Sequence, residues 1–380
     1  MTPVSAFLDH FSRSRLGILI DDIGSSRAAL VAPAQDISAD VVNRALALTG
    51  GLTFVALSSE RVNAFMLPSM TRPATFSPGS DSVDGSLRLL TSVEAREGIS
   101  TGISAADRAT TLRVLGGESP HPRDLIKPGH VFPVEARQGG VLVKAALPEG
   151  ALDIVRLCSF SDAALHMDLL RVDGNLMTAE EAQLLGRREC LPVTTISELI
   201  SYRLHREPLV TRAAEAVIPT RLAGDVRGIV YRSHIHDVEH VALVKGDVSH
   251  GGPVVVRVQV ENTIADVFGG GAPSSRALLQ ASLRTIQARG SGVFLYLRRA
   301  FIEDRAAYAP SMPAHPSPPP ATSMMREYGI GAQILRDLGV TQIEVLSNSA
   351  RALDGLASFG ITIISQHPIP DVESKPGHAV

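Results

Sequence analysis

The stretch Thr101-Gly-Ile-Ser-Ala-Ala-Asp107-Arg108 gives the first fixed point for the fold. Ser104 stands ahead of the apolar pair Leu112 and Leu115, and an acid follows it at Asp107. That is capping-box spacing, and it predicts a helix entered at Ser104. Upstream, Leu16 to Ile20 reads as a buried strand. Ser38 is placed to cap a helix whose apolar side carries Val41, Val42, Ala45 and Leu46, and Gly50-Gly51 ends it. Leu52 to Leu57 then reads as the next strand. Downstream, Asp173-Gly174 between Leu169-Leu170 and Leu176-Met177 is a hairpin signal. A helical stretch from Ile196 to Leu204 leads into a charged connector, His205 to Pro208.

A second fixed point is Tyr328-Gly-Ile-Gly-Ala-Gln-Ile-Leu-Arg-Asp-Leu-Gly339. Ile334, Leu335 and Leu338 recur there at helical spacing, and a strand from Ile343 to Leu346 follows. Next come a helix with Leu353, Leu356 and Phe359, then a strand from Ile361 to Ile364. Ahead of it the β-branched runs Val226–Tyr231, Val241–Lys245 and Val254–Val260 read as strands. Leu279, Leu283 and Ile286 mark a helix before a buried strand, Val293 to Leu297. Pro310 to Pro320 is proline-rich and reads as a surface loop. The expected fold is therefore α/β (α+β): two mixed domains, residues 1–204 and 205–380.

Composition narrows the function. The chain has 380 residues, more than one core usually holds at roughly 150 residues per domain. Its 44% hydrophobic and 20% charged residues are those of an ordinary globular protein. A net charge of −3, 4% aromatics and no Trp leave little with which to neutralise phosphates or stack bases, so no nucleic-acid partner is expected. The apolar runs are too short to span a membrane. Two cysteines, Cys158 and Cys190, fit a reducing compartment, and a cytoplasmic location is expected.

The first half carries further motifs, Lys127-Pro-Gly-His130-Val-Phe-Pro133 and Arg137-Gln-Gly-Gly-Val-Leu142. With Thr101–Arg108 they resemble 3,4-dihydroxy-2-butanone 4-phosphate synthase. In the second half, Ile218-Pro-Thr-Arg221, Glu239-His-Val-Ala-Leu-Val-Lys-Gly-Asp247, Asp266-Val-Phe-Gly269 and Tyr328–Gly339 resemble GTP cyclohydrolase II. The order matches the bifunctional riboflavin-biosynthesis family, from about Leu16 to Pro368. That resemblance implies two reactions: Mg²⁺-dependent loss of formate from ribulose 5-phosphate, and zinc-dependent opening of the guanine ring of GTP.

Residue by residue, the chemical positions of both reactions have changed. The synthase uses a D-R-E-N-E-G-D loop to hold metal and move protons. Here the place reads Asp21-Asp-Ile-Gly-Ser-Ser-Arg-Ala-Ala-Leu30, with no Glu before Glu60. The metal-binding His of G-H-T-E falls on Leu147 in Ala146-Leu147-Pro148-Glu149, and a later family Glu corresponds to Asp168. Thr101, Asp107, Arg108, His130, Arg137 and Lys144 remain as candidates for phosphosugar binding. The competing reading is that Ser104, Asp107 and His130 merely cap helices and satisfy buried backbone.

In the cyclohydrolase half the C-x₁₀-C-x-C zinc set becomes Asn262, Pro273 and Ser275, and no thiol follows Cys190. R-Q-E-G-R-G-I-G has become Arg298-Arg-Ala-Phe-Ile-Glu-Asp-Arg305, and T-N-N-P-x-K reads Ser347-Asn-Ser-Ala-Arg-Ala352. The acid of D-x-R falls on Met324, with its Arg kept as Arg326. Arg257, Glu261 and Ser347 are the nucleotide-binding candidates. His234, His236 and His240, if on one strand, would share a face, although a metal there is the weaker reading. No metal ligand and no cofactor is expected. Both ancestral activities are expected to be lost, with His130, Asp168 and Arg326 the leading catalytic candidates if a reaction survives. A homodimer, or pairing with an active relative, is the expected assembly, with a phosphosugar or nucleotide as ligand.

Overall fold

The structure, a computed structural model, describes residues 2–23, 27–70, 87–235, 238–249, 251–268, 275–298, 321–348 and 359–370. It divides into two compact units, Met1–Arg203 and Leu204–Val380. Both are mixed sheets with helices, the fold class the sequence predicts.

The first unit opens with α1 (Pro3–Ser14), β1 (Gly17–Ile20), β2 (Ala28–Pro33), α2 (Ala39–Thr49), β3 (Phe54–Leu57) and α3 (Ser59–Ala64). There follow β4 (Val93–Ala95), α4 (Ala105–Gly116), β5 (Leu125–Glu135), α5 (Leu147–Leu157), β6 (Ala163–Asp168), α6 (Ala179–Arg188), β7 (Val193–Thr195) and α7 (Ile196–Arg206). The strands form one sheet in the order β4-β5-β3-β6-β2-β1-β7. Local chemistry sets the helix ends. Ser38 Oγ accepts from Val41 N at 3.2 Å, and Gly50 leaves α2 at φ 61°. Ser104 Oγ accepts from Asp107 N at 3.0 Å to start α4.

Apolar side chains of α2 and α4 pack with Ile18, Leu30 and Leu165 in one core. On the other face α5 lies close over β1. A Cβ on Gly150 would sit 2.6 Å from Leu19 Cδ2, so glycine is what permits the approach. The structure departs from the sequence reading in the first unit. The helix expected to stop at Leu204 runs on to Arg206 and takes half of the connector. The hairpin at Asp173-Gly174 is a turn closed by one bridge, Leu170 with Leu176. Strands β2, β4, β5, β6 and β7 and helices α1, α3, α5 and α6 were not anticipated.

The second unit contains β8 (Val210–Thr220), β9 (Gly224–Ser233), β10 (Glu239–Lys245), β11 (Val254–Val260), α8 (Thr263–Val267) and α9 (Ser275–Arg289). It ends with β12 (Gly292–Leu297), α10 (Ala321–Asp337), β13 (Gln342–Leu346) and β14 (Thr362–His367). Its sheet runs β14-β13-β11-β12-β10-β9-β8. Strands β14, β13, β11 and β12 are mutually parallel, so the carboxyl ends of β11, β12 and β13 lie side by side. That edge is where open α/β sheets place ligands. Leu283 and Ile286 of α9 pack on Val255, Phe294 and Leu346. The expected helix at Leu353 and Leu356 and the Pro310–Pro320 loop lie outside the described residues. Among the described residues no helix is long and apolar enough to cross a membrane.

Candidate functional sites

Three polar clusters carry the first unit's candidates. The first is the turn from Arg137 to Glu149. Gly139 and Gly140 take φ of 89° and 63°, and the buried Asp153 accepts from Val141 N at 2.8 Å and from Arg203 Nη1 at 2.6 Å. Burial lifts the Asp153 carboxyl to about 6 against the pull of Arg203. Glu149, in the first turn of α5, accepts from Arg137 N through Oε1 at 3.1 Å. Burial raises its carboxyl, opposed by that hydrogen bond and by the charges of Lys144 and Arg137. Its Oε2 is buried without a partner. Arg137 thus meets Glu149 through its backbone amide, and the charges of Lys144 and Arg137 act on the same carboxyl, while Leu147 is buried and apolar in the same turn.

The second cluster surrounds Asp107. Its carboxylate accepts from Ser100 N (3.2 Å), Ser100 Oγ (2.9 Å), Thr101 N (3.2 Å) and Gly102 N (3.0 Å). The expected capping box is thus half made: Ser104 caps α4, but Asp107 binds the preceding loop rather than returning to Ser104. Desolvation pushes this carboxyl up, and the Ser100, Gly102 and Thr101 donors outweigh it and hold it below the usual range. Thr101 contributes its backbone, its side chain being exposed. His130 caps no helix; its Nδ1 is in close contact with Glu94 Oε1. Arg108 turns elsewhere, donating to Thr53 Oγ1 at 2.8 Å, and burial lowers its pKa.

The third cluster joins Asp168 to two residues the sequence reading did not single out. Arg27 Nη1 lies 3.8 Å from Asp168 Oδ2, while Asp168 Oδ1 is buried without a partner and burial raises that carboxyl. His166, two residues earlier on β6, shares the face of Asp168. It is 3% exposed, stacks on Phe54 at 5.4 Å, and keeps an unpartnered Nδ1. Burial, then the charge of Arg27, holds its pKa down to about 3, so the ring is neutral. The available signal was a lone His inside the otherwise apolar run Ala163–Met167.

In the second unit the densest polar centre is Asp266, which follows β11. Its Oδ1 accepts from Gln259 Nε2 (2.9 Å) and Ser275 Oγ (2.5 Å), and its Oδ2 from Asn262 N (2.9 Å) and Tyr296 Oη (2.8 Å). Burial and the Asp266 carboxylate push the Tyr296 phenol upward. Of the nucleotide candidates, Arg257 donates to Gln259 Oε1 at 2.9 Å and to Leu346 O at 3.1 Å, beside Ser347. Burial lowers its pKa. Glu261 meets Arg298 at 3.5 Å. Ser347 lines a cavity of about 540 Å³ with Asn348, Gln366 and Ile369. Arg326 lies in α10, half-buried.

The three histidines do not form a shared strand face. His240 is buried in β10 with Nδ1 accepting from Arg298 N at 3.1 Å, whereas His234 lies past the end of β9. His236 lies outside the described residues. No group of three or more potential metal-binding His, Cys, Asp or Glu side chains occurs among the described residues. One Ser/His/carboxylate set does form, which the sequence reading missed. Ser365 Oγ and Glu344 Oε2 each lie 3.0 Å from His367 Nε2. Both use the same nitrogen, so no triad-type relay results.

Residues 5–202 match the family model for 3,4-dihydroxy-2-butanone 4-phosphate synthase, and residues 211–368 that for GTP cyclohydrolase II. The riboflavin biosynthesis protein RibBA of Chlorobium phaeovibrioides is 31% identical over 378 residues, covering 96% of this chain and 90% of the relative. The chain belongs to the bifunctional riboflavin-biosynthesis family. RibBA of Nocardia farcinica is 33% identical over 366 residues, covering 93% and 86%. The crystal structure of RibBX, a two-domain 3,4-dihydroxy-2-butanone 4-phosphate synthase from A. baumannii, superposes with a TM-score of 0.76. It is 27% identical, with 96% of this chain and 99% of that chain covered.

Family membership implies Mg²⁺ in the first unit and zinc in the second, and the residues present fit neither ion. At the first, Asp168 already faces a guanidinium and Leu147 offers no lone pair. At the second, Ser275, which the motif resemblance sets at a thiolate position, donates its hydroxyl to Asp266. Asp266 itself has both oxygens taken by four donors.

Proposed function

We propose that this chain is a non-catalytic binding or regulatory member of the fusion family, without either ancestral reaction. The observation that carries the reading is the position of Ser275. A residue that would hold zinc as thiolate is a hydroxyl engaged with Asp266. Zinc-bound water is what makes ring opening of a guanine feasible near neutral pH. Without it, the nucleophile is ordinary water. In the first unit the same argument runs through Leu147 and the acid-poor loop, since base, metal and acid act as one device and are not separately useful. We place the chain in the cytoplasm, as a homodimer or beside an active relative.

A second reading has its own support. The solved relative RibBX is described as a synthase, and Glu149 and Asp168 each keep a buried oxygen unpartnered in the corresponding unit. On that reading a metal-independent lyase, or residual synthase, persists there, with His130 or Asp168 as proton acceptor. One experiment separates the two. The purified chain is incubated with ribulose 5-phosphate and Mg²⁺, and separately with GTP, and formate is measured with zinc content. The expected result is formate at the no-enzyme level in both and no stoichiometric zinc. Turnover of GTP with about one zinc per chain sinks the first reading. Formate from ribulose 5-phosphate alone favours the second.

A further inference from the structure

Strand β8 leaves a long edge of the second sheet unpaired. It ends that sheet, pairs only with β9 among the described residues, and runs for eleven residues. Nine of them, Thr211 to Pro219, are exposed, with Val217 at 71%. The other edges are shorter: β4 and β7 of the first sheet have three residues each, and β14 has six. An edge strand offers a row of unpaired N–H and C=O groups to another chain, and folds blunt it by keeping it short or by placing Lys or Pro in it. Strand β8 is long, has no Lys, and keeps its one proline, Pro219, next to its end.

Counted in ladder steps, the strand is complementary to itself. Arg212 lies opposite Tyr231 of β9, Ala214 opposite Val230 and Glu215 opposite Ile229. Ala213 is therefore the extra residue of a bulge, and Arg212, Ala214 and Glu215 are consecutive steps. A two-fold axis at Ala214, perpendicular to the sheet, sets a second β8 antiparallel beside the first. Arg212 of each copy then faces Glu215 of the other, Thr211 faces Ala216, and Val210 faces Val217, with the two Ala214 residues opposite each other. Opposite charges in such cross-strand positions stabilise the pair and like charges oppose it. Moving the axis to Arg212 or to Glu215 brings like charges together, so the charge pattern selects the register. Within one chain Arg212 Nη1 lies 2.9 Å from Glu215 Oε2, and Nη2 lies 2.7 Å from Asp337 Oδ2. The guanidinium is thus already held on the face that carries Glu215.

We propose that β8 is the docking edge for a second copy of this chain, joined antiparallel about Ala214, so that the second-unit sheets of the two copies run on as one. The contact is isologous, each copy giving and receiving the same Arg212–Glu215 pair. Val217, left exposed in the single chain, meets Val210 of the other copy. Pro219, which has no N–H to give, falls outside the paired run from Val210 to Val217. This rests on the homodimer in the reading above and names its surface.

Sedimentation velocity of the full chain over a range of concentrations should show a monomer–dimer equilibrium. Val217→Asp should raise the dimer dissociation constant at least about tenfold with the far-ultraviolet circular dichroism unchanged. Arg212→Glu and Glu215→Arg should each weaken self-association, and an equimolar mixture of those two variants should form a mixed dimer, because each offers the charge the other lacks. In a chain carrying Cys158→Ser and Cys190→Ser, Ala214→Cys should give a disulfide-linked dimer on mild oxidation, since opposed residues of paired strands lie within disulfide range. Ala216→Cys, which faces Thr211, should not. A dimer that withstands Val217→Asp, or Ala214→Cys cross-linking no better than Ala216→Cys, keeps the homodimer and overturns this edge. A monomer at every concentration overturns the edge and the homodimer together, and leaves the non-catalytic reading to the formate measurement. If Arg212→Glu does not fold, Val217→Asp and the cysteine pair still decide.

Discussion

Two polar centres, one in each unit, differ in how their buried atoms are partnered. At Asp266 four donors converge on one carboxylate, from Gln259, Asn262, Ser275 and Tyr296. In the first unit, Glu149, Asp168 and His166 each retain a buried atom with nothing bound to it. The Asp266 carboxylate has both oxygens held by internal hydrogen bonds, although Arg257 Nε beside Gln259 is buried without a partner. The first-unit atoms keep unmet hydrogen-bonding capacity in a buried setting. The satisfaction of the buried carboxylates is what separates the two centres.

The largest expected effect tests the Asp266 centre. Asp266→Ala leaves four donors facing a void and should cost about 3–5 kcal/mol in the second unit, read by urea unfolding. A loss below about 1 kcal/mol would mean that the four donors find other partners and that the contrast with the first-unit atoms does not hold. Next is the acid response of His166. Its folded pKa lies below the unfolded value, so stability is present above about 6.5 and is lost as pH falls toward about 3. His166→Phe should remove that loss, worth about 3 kcal/mol at pH 4, when denaturation of both proteins is compared at pH 7 and pH 4. Equal pH slopes would show that the imidazole is partnered after all.

The smallest effect belongs to Glu149. Its folded pKa is raised, so protonation favours the fold and stability falls as pH rises through that pKa. Glu149→Gln should shift stability at pH 7 by less than about 1 kcal/mol, because Oε1 remains an acceptor and the buried charge is removed. The variant should also flatten the pH dependence in that window. A cost as large as that of Asp266→Ala would erase the contrast between the two centres.

Much of the architecture was legible from local pattern. The helix entries at Ser38 and Ser104 follow from hydroxyls placed before apolar series, and β11 and β12 follow from continuous β-branched or apolar runs. Strand β8 was not legible, because it is an edge strand exposed along nearly its whole length and shows no buried alternation. Strand β5 contains Pro128 and Pro133, which argue against a strand unless neighbours supply the pairing. In both cases tertiary pairing overrode a weak local signal.

The sequence by itself determined the family, since motif order needs no coordinates, and a count of cysteines shows no thiol after Cys190. By the motif resemblance, Leu147 and Ser275 stand where the family has metal ligands. How each buried polar atom is partnered was decided only by the tertiary structure. Gln259 and Tyr296 meet at Asp266 because β11 and β12 are parallel and place those two residues opposite each other. Asp168 meets Arg27 because antiparallel register sets Ala29 against it. Tyr296 and Asp266, and Arg27 and Asp168, lie tens of residues or more apart in the chain, and the hydrogen bonds and ion pairs that join them act over about 3–4 Å, a scale set by strand register and not by sequence distance.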